Sequence, residues 1–223
     1  MKNFIFYLLI FILVSACGKT DPILPGTRTA IFPRAEITIL NKEVPMPQTA
    51  RTPTPAAGMR QTANNKIMNA DGREVFSGFP TDATVAGMRT PMQHGGFVFA
   101  GLSTGEVVKF NPKTRIVQWI ADVYSSSAMT GGNEVLDIVA SVQPYDEGVY
   151  AGGLGGEFCK LNIGNGGKVW CVPISVGADF VITKDFAFVI SADNYLYAIE
   201  LKSGAVYWKK PVEKQTMPDL IKN

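Results

Sequence analysis

Three windows of 22 residues align without a gap: VFAGLSTGEVVKFNPKTRIVQW from Val98, VYAGGLGGEFCKLNIGNGGKVW from Val149 and AFVISADNYLYAIELKSGAVYW from Ala187. A chain that repeats itself in this way folds as equivalent units, each burying its apolar faces on the next. Within every window an apolar run leads to a turn at Gly105, Gly156 or Asn194. An alternating run, a second turn and a last run closing on Trp119, Trp170 or Trp208 follow. Short runs of this kind separated by Gly and Asn are strands, so each window reads as three of them. The second turn carries Gly166 in the second copy and Gly204 in the third, where a positive φ has no steric cost. The first copy has Arg115 there, which predicts a looser or differently shaped turn. A degraded fourth copy ends at Phe76, with Asp71-Gly72 at the same turn and Ile67 at the matching strand position.

Taking Phe76, Trp119, Trp170 and Trp208 as equivalent, the spacings are 43, 51 and 38 residues, a mean of 44. That period suits four strands, and the missing first strand is expected upstream, at Asp137 to Val142 and at Asp179 to Ile182. The content of 22 Gly and 14 Pro argues for turns rather than long helices, while 46% hydrophobic residues are enough to build a core. The fold class is therefore all-β, a β-propeller of four-stranded antiparallel blades. The recurring rings Phe76, Trp119, Trp170 and Trp208 are read as packing between neighbouring blades rather than as ligand stackers. Residues 61–223 hold the blades, about three and two-thirds units at this period, whereas propellers close with roughly four to eight. The chain is thus about four blades or part of a larger ring, as a truncated reading frame or a genuine short form. Closure as a four-bladed ring would use Val212 to Ile221 as a strand on the blade ending at Phe76.

Ahead of the repeats, Lys2 precedes an unbroken apolar run from Phe4 to Val14, then Ser15, Ala16 and Cys17. Its 11 residues are too few to span a bilayer core, so residues 1–16 read as a secretory signal peptide. Val14-Ser15-Ala16-Cys17 resembles the bacterial lipobox, which implies acylation of Cys17. Three acyl chains, implied by the same resemblance, give stable membrane anchoring. Gly18 rather than Asp after the cysteine favours the outer membrane by the enteric sorting rule. Residues 17–60 form a Pro-rich tether, since half of all prolines fall between Pro22 and Pro55. Within it only Glu36 to Leu40 has the makings of a strand.

The stretch DNYLYAIELKSGAVYW, residues 193 to 208, is similar to the pyrroloquinoline-quinone-type propeller repeat, with Asn194 in place of its usual Gly and Ser203 in place of its Thr. Lipobox, Pro-rich tether and this repeat together resemble the BamB-like family of outer-membrane assembly lipoproteins. That resemblance implies a non-enzymatic scaffold without a cofactor, anchored at the periplasmic face of the outer membrane. Its implied partners are the barrel-inserting subunit BamA and nascent outer-membrane proteins. Leu136-Asp137-Ile138 resembles the Leu-x-Asp-Val stretch that enters a blade in that family, so Asp137 is the partner-binding candidate, beside its plainer reading as an acidic turn residue. The run Ser125 to Asn133 reads as a second, looped contact surface. A generic propeller lipoprotein that binds protein or ligand is the alternative, and a quinoprotein enzyme fragment a weaker one.

Other chemistry finds little support. A net charge of +2 gives no footprint for nucleic acid. One histidine, His94, in a hairpin-like Met92 to Gly96, and three separated cysteines make neither a usual zinc site nor a catalytic triad, so no catalytic or metal residue is expected. Cys159 and Cys171 lie symmetrically about residue 165 in the second copy. Either they form a cross-strand disulfide in an oxidising compartment, or they are two buried thiols.

Overall fold

The computed structural model of the chain describes residues 36–47, 49–81, 89–124 and 136–212. Fifteen strands and no helix occur among them. Blade 1 consists of β1 (Arg60–Gln61), β2 (Lys66–Met68) and β3 (Glu74–Ser77). Blade 2 consists of β4 (Met92–His94), β5 (Phe97–Gly101), β6 (Glu106–Phe110) and β7 (Val117–Asp122). Blade 3 comprises β8 (Gln143–Tyr145), β9 (Gly148–Gly152), β10 (Phe158–Asn162) and β11 (Lys168–Val172). Blade 4 comprises β12 (Val181–Ile182), β13 (Phe186–Ile190), β14 (Tyr195–Glu200) and β15 (Val206–Pro211). Each blade is an antiparallel meander in chain order, three-stranded in blade 1 and four-stranded in the rest. This is a partial β-propeller.

The repeat holds down to single residue pairs. Ile67 lies opposite Phe76, Lys109 opposite Trp119, Lys160 opposite Trp170 and Ala198 opposite Trp208. One residue further on, all four pairings slip by the same β-bulge, which leaves Val75, Gln118, Val169 and Tyr207 as the extra residues. A bulge bends its strand and raises the local twist, and its recurrence gives every outer strand the same shape.

The rings close the blades on one another. The Trp119 indole N–H donates to Ile163 O at 3.2 Å and the Trp170 N–H to Leu201 O at 3.1 Å, equivalent carbonyls of the following blade. The neighbour's second turn sits against the ring. A Cβ at Gly166 would stand 2.8 Å from Trp119, and one at Gly204 2.7 Å from Trp170, so glycine is required there by space as well as by φ. Phe76, which has no N–H, stacks on Phe110 with centroids 5.4 Å apart.

Several expectations are corrected. Arg115 does not give a different turn: its φ is 60°, beside 75° at Gly166 and 76° at Gly204, and its N–H bonds Asn111 O at 2.8 Å as Gly166 bonds Asn162 O. Asn111 Oδ1 accepts from the Lys113 and Thr114 amides and holds the shape that glycine would allow. In blade 3 the first turn falls at residues 154–156, as expected, with Gly155 as its left-handed residue. The first strand of that blade is Gln143–Tyr145 rather than Asp137 to Val142, because the main chain at 137–138 is bonded outside any strand ladder: Ile138 N to Leu102 O of blade 2, and Leu154 N, in the turn between β9 and β10, to Asp137 O.

The described part of the Pro-rich segment runs along the blades. Leu40 N donates to Val206 O and Lys42 N to Tyr207 O on β15. Further on, Arg51 N bonds Ile182 O, and Ala56 N bonds Pro91 O. The strand foreseen at Glu36 to Leu40 is present as a single bridge, Ile39 to Val206. Of the closing segment, Val212 bonds Asn194 O within its own blade, and residues 213–221 lie outside the described residues.

Candidate partner-docking site

The connections that enter blades 2 and 3 carry the residues that break the repeat. By position, Asp137 in the second connection corresponds to Ser175 in the third: the carbonyl of each accepts an N–H from an equivalent residue, Leu154 or Ala192. Gly153 makes the first contact possible, since a Cβ there would fall 2.4 Å from Asp137 O. The backbone role is thus repeated and the carboxylate is not. Ser175 Oγ accepts a bond from Gly155 N at 3.2 Å.

The Asp137 carboxylate is fully buried and forms an ion pair with the Arg89 guanidinium, itself 6% exposed. Burial lowers the Arg89 pKa to about 10, which leaves it charged at neutral pH. A buried carboxylate of this kind is stable only with its cation, so the pair ties the connection before β4 to the connection before β8. Asp137 therefore does not present its side chain to a partner in this state. It positions backbone.

A residue that does face outward is Phe79, 75% exposed. Its connection is held from beneath by Asn65, which is fully buried. Asn65 Nδ2 donates to Phe79 O at 2.8 Å, its carbonyl accepts from Gly78 N at 3.0 Å, and its Oδ1 accepts from Ser103 N at 2.8 Å. Thr81 Oγ1 and Ser103 Oγ share a further bond of 2.6 Å. An aromatic ring on a pinned loop loses little entropy on binding, the property of an interface anchor. The reading of the sequence passed over it. Its signal there is an aromatic between Gly78 and Pro80, where no strand can bury it.

Of the other expected sites, Cys17 and the run Ser125 to Asn133 lie outside the described residues. Cys159 and Cys171 are direct partners across β10 and β11 with their sulfurs bonded at 2.03 Å. The Glu157 carboxylate beside them pairs with Lys168 at 3.2 Å. His94 ends β4, exposed, before the Gly95-Gly96 turn.

Four blades in one register, with indoles docked on neighbouring turns, define a propeller of the pyrroloquinoline-quinone repeat class. A family model described as outer membrane protein assembly factor BamB matches residues 41–210, and the chain belongs to that family. BamB of Kangiella koreensis is 19% identical over 125 residues, 56% of this chain and 32% of that protein. BamB of Alkalilimnicola ehrlichii is 23% identical over 127 residues, 57% of this chain and 33% of that protein. The chain thus spans about a third of the length of these curated relatives. The crystal structure of BamB from Moraxella catarrhalis superposes with a TM-score of 0.53 at 16% identity, over 72% of this chain and 48% of that one. A quinohemoprotein alcohol dehydrogenase from Pseudomonas putida superposes at 0.52 with 12% identity, over 69% of this chain and 32% of that one. Both likenesses show the fold alone.

Proposed function

We propose that the chain is a non-enzymatic scaffold lipoprotein of the outer-membrane β-barrel assembly machinery. Cys17 carries the lipid that holds it on the periplasmic face of the outer membrane. The propeller docks on the barrel-inserting subunit BamA and assists delivery of nascent outer-membrane proteins, with no cofactor. The family match over residues 41–210 carries this reading. The connections between blades support it locally: Phe79 supplies an exposed anchor, and Asp137 acts behind the surface through Arg89.

The test is to tag the C-terminus, cross-link in intact cells of the native host, and identify by mass spectrometry what co-purifies from solubilised outer membrane. The reading predicts BamA among the products. Abundant folded bait without that subunit overturns it. A second arm separates docking from folding. Asp137→Ala alone strands a buried cation and is expected to cost about 3–5 kcal/mol of stability, whereas Arg89→Met with Asp137→Leu removes both charges at little cost. Recovery of BamA should drop in the double variant while its melting temperature holds.

A further inference from the structure

We infer that the outer edge of blade 4 is a binding site for an extended peptide with apolar side chains at alternate positions, and that residues 36–44 occupy it as an internal strap. The inference stands whether or not the chain docks on BamA. From Glu36 to Leu40 exposure alternates, with Ile37 and Ile39 half-buried against the core between blades 3 and 4, and Glu36, Thr38 and Leu40 exposed. This is the period of a strand laid on an apolar surface. The main chain is read as well. The bulge at Tyr207 lets two successive carbonyls of β15, Val206 O and Tyr207 O, accept from Leu40 N at 2.9 Å and Lys42 N at 3.1 Å. Main-chain bonds to a sheet edge with pockets for alternate side chains are the general means of holding an extended peptide.

Trp208 shows what the strap replaces. In blades 2 and 3 the equivalent indoles donate to a carbonyl of the following blade, while the Trp208 N–H donates to Val44 O at 3.2 Å. Val44 also packs on the apolar far face of blade 4, with Phe188, Ile190 and Leu196. The strap therefore satisfies a docking position built for another segment. It fits loosely: beside Glu36, Ile37 and Ile39 runs a cavity of about 860 Å³, walled by Leu154, Ile174 and Tyr197 with Ser191, Asp193 and Lys209 at its polar side. A peptide with larger apolar side chains fills that space where two isoleucines do not. The same bulge recurs in β7 and β11, yet among the described residues no segment bonds their outer edges as the strap bonds β15.

The experiment uses the full chain with Ile37→Asp and Ile39→Asp, which releases the strap, and a fluorescent synthetic peptide of residues 34–46 as probe. A tethered strap competes at high effective concentration, so the released chain should bind the probe about ten-fold or more tighter than the unaltered chain. A probe carrying the same two aspartates should not bind. Equal binding by the two chains, or none by a released chain that melts as the unaltered one does, overturns the inference. Should the double variant fail to fold, amide exchange on the nitrogen-labelled unaltered chain decides. Leu40 and Lys42 should lose protection when excess unlabelled probe is added, and unchanged protection overturns the inference.

Discussion

The interface between blades 1 and 2 and the two that follow it meet the same geometric demand with different chemistry. All have the outer-strand ring opposite the same register position. Between blades 2 and 3, and between 3 and 4, an indole donates to the neighbour's main chain and lies against a turn glycine. Between blades 1 and 2 the ring is Phe76, the facing turn position is Arg115, and buried amides take over. Gln61 Nε2 donates to Gly101 O at 2.7 Å, and Asn65 binds Ser103. Between blades each indole has both a carbonyl to receive its N–H and a neighbouring turn without a Cβ. Where the ring is a Phe, the turn is free to carry a side chain. The ring and the turn residue facing it are thus one choice made across two blades.

The largest test breaks an indole contact. Trp119, 8% exposed, sits in the core between blades 2 and 3, and Trp119→Ala is expected to destabilise by about 3–5 kcal/mol in denaturant unfolding. A smaller effect separates the interface between blades 3 and 4 from the other two by pH. Tyr150 lies in the core between blades 3 and 4, and burial, then the Asp146 charge, raises its pKa to about 12. Among the described residues, the apolar clusters between blades 1 and 2 and between blades 2 and 3 have no tyrosine. Since the folded state holds the phenol proton more tightly than the unfolded chain, stability is intact below pH 10. It falls between about pH 10 and 12, by about 2–3 kcal/mol in all. Tyr150→Phe should remove that loss. The smallest effect is a gain: Arg115→Gly relieves a left-handed backbone and should stabilise by about 0.5–1 kcal/mol, read as a rise in melting temperature.

Much of this architecture was legible because packing between repeats constrains residue type at fixed spacing. The rings at 76, 119, 170 and 208 and the glycines at 166 and 204 mark one contact made again and again. The facing of Cys159 and Cys171 was left open by the sequence, because the turn-side pairing of Leu161 with Lys168 would set Cys159 opposite Trp170, and only the bulge between that pair and the cysteines brings Cys171 into register. What was missed depends on contacts without a period. Arg115 looks like a broken turn until Asn111 is seen to hold it. Residues 137–142 are apolar enough for a strand, but the main chain at 137 and 138 is committed to Leu154 and Leu102 rather than to a neighbouring strand. The strap was hidden by its prolines, which suggest a free spacer while leaving Leu40 and Lys42 free to donate. Asp137 was visible through the resemblance of Leu136-Asp137-Ile138 to a stretch that enters a blade in the family, but Arg89, 48 residues earlier, had nothing to connect it with that position. Phe79 had only a local signal, its place between Gly78 and Pro80, and nothing in the sequence marks Asn65 as the residue that pins its loop.

The central claim, that the inter-blade connections of this propeller dock on the barrel-inserting subunit, is tested most directly by site-specific photo-cross-linking in the native host. One photoreactive residue is placed at Phe79 and, in a separate chain, at Lys202, exposed in the second turn of blade 4. The account predicts a cross-link to BamA from position 79 and none from position 202. Folded, abundant chains that give no such product from position 79, or the same product from both positions, would contradict it.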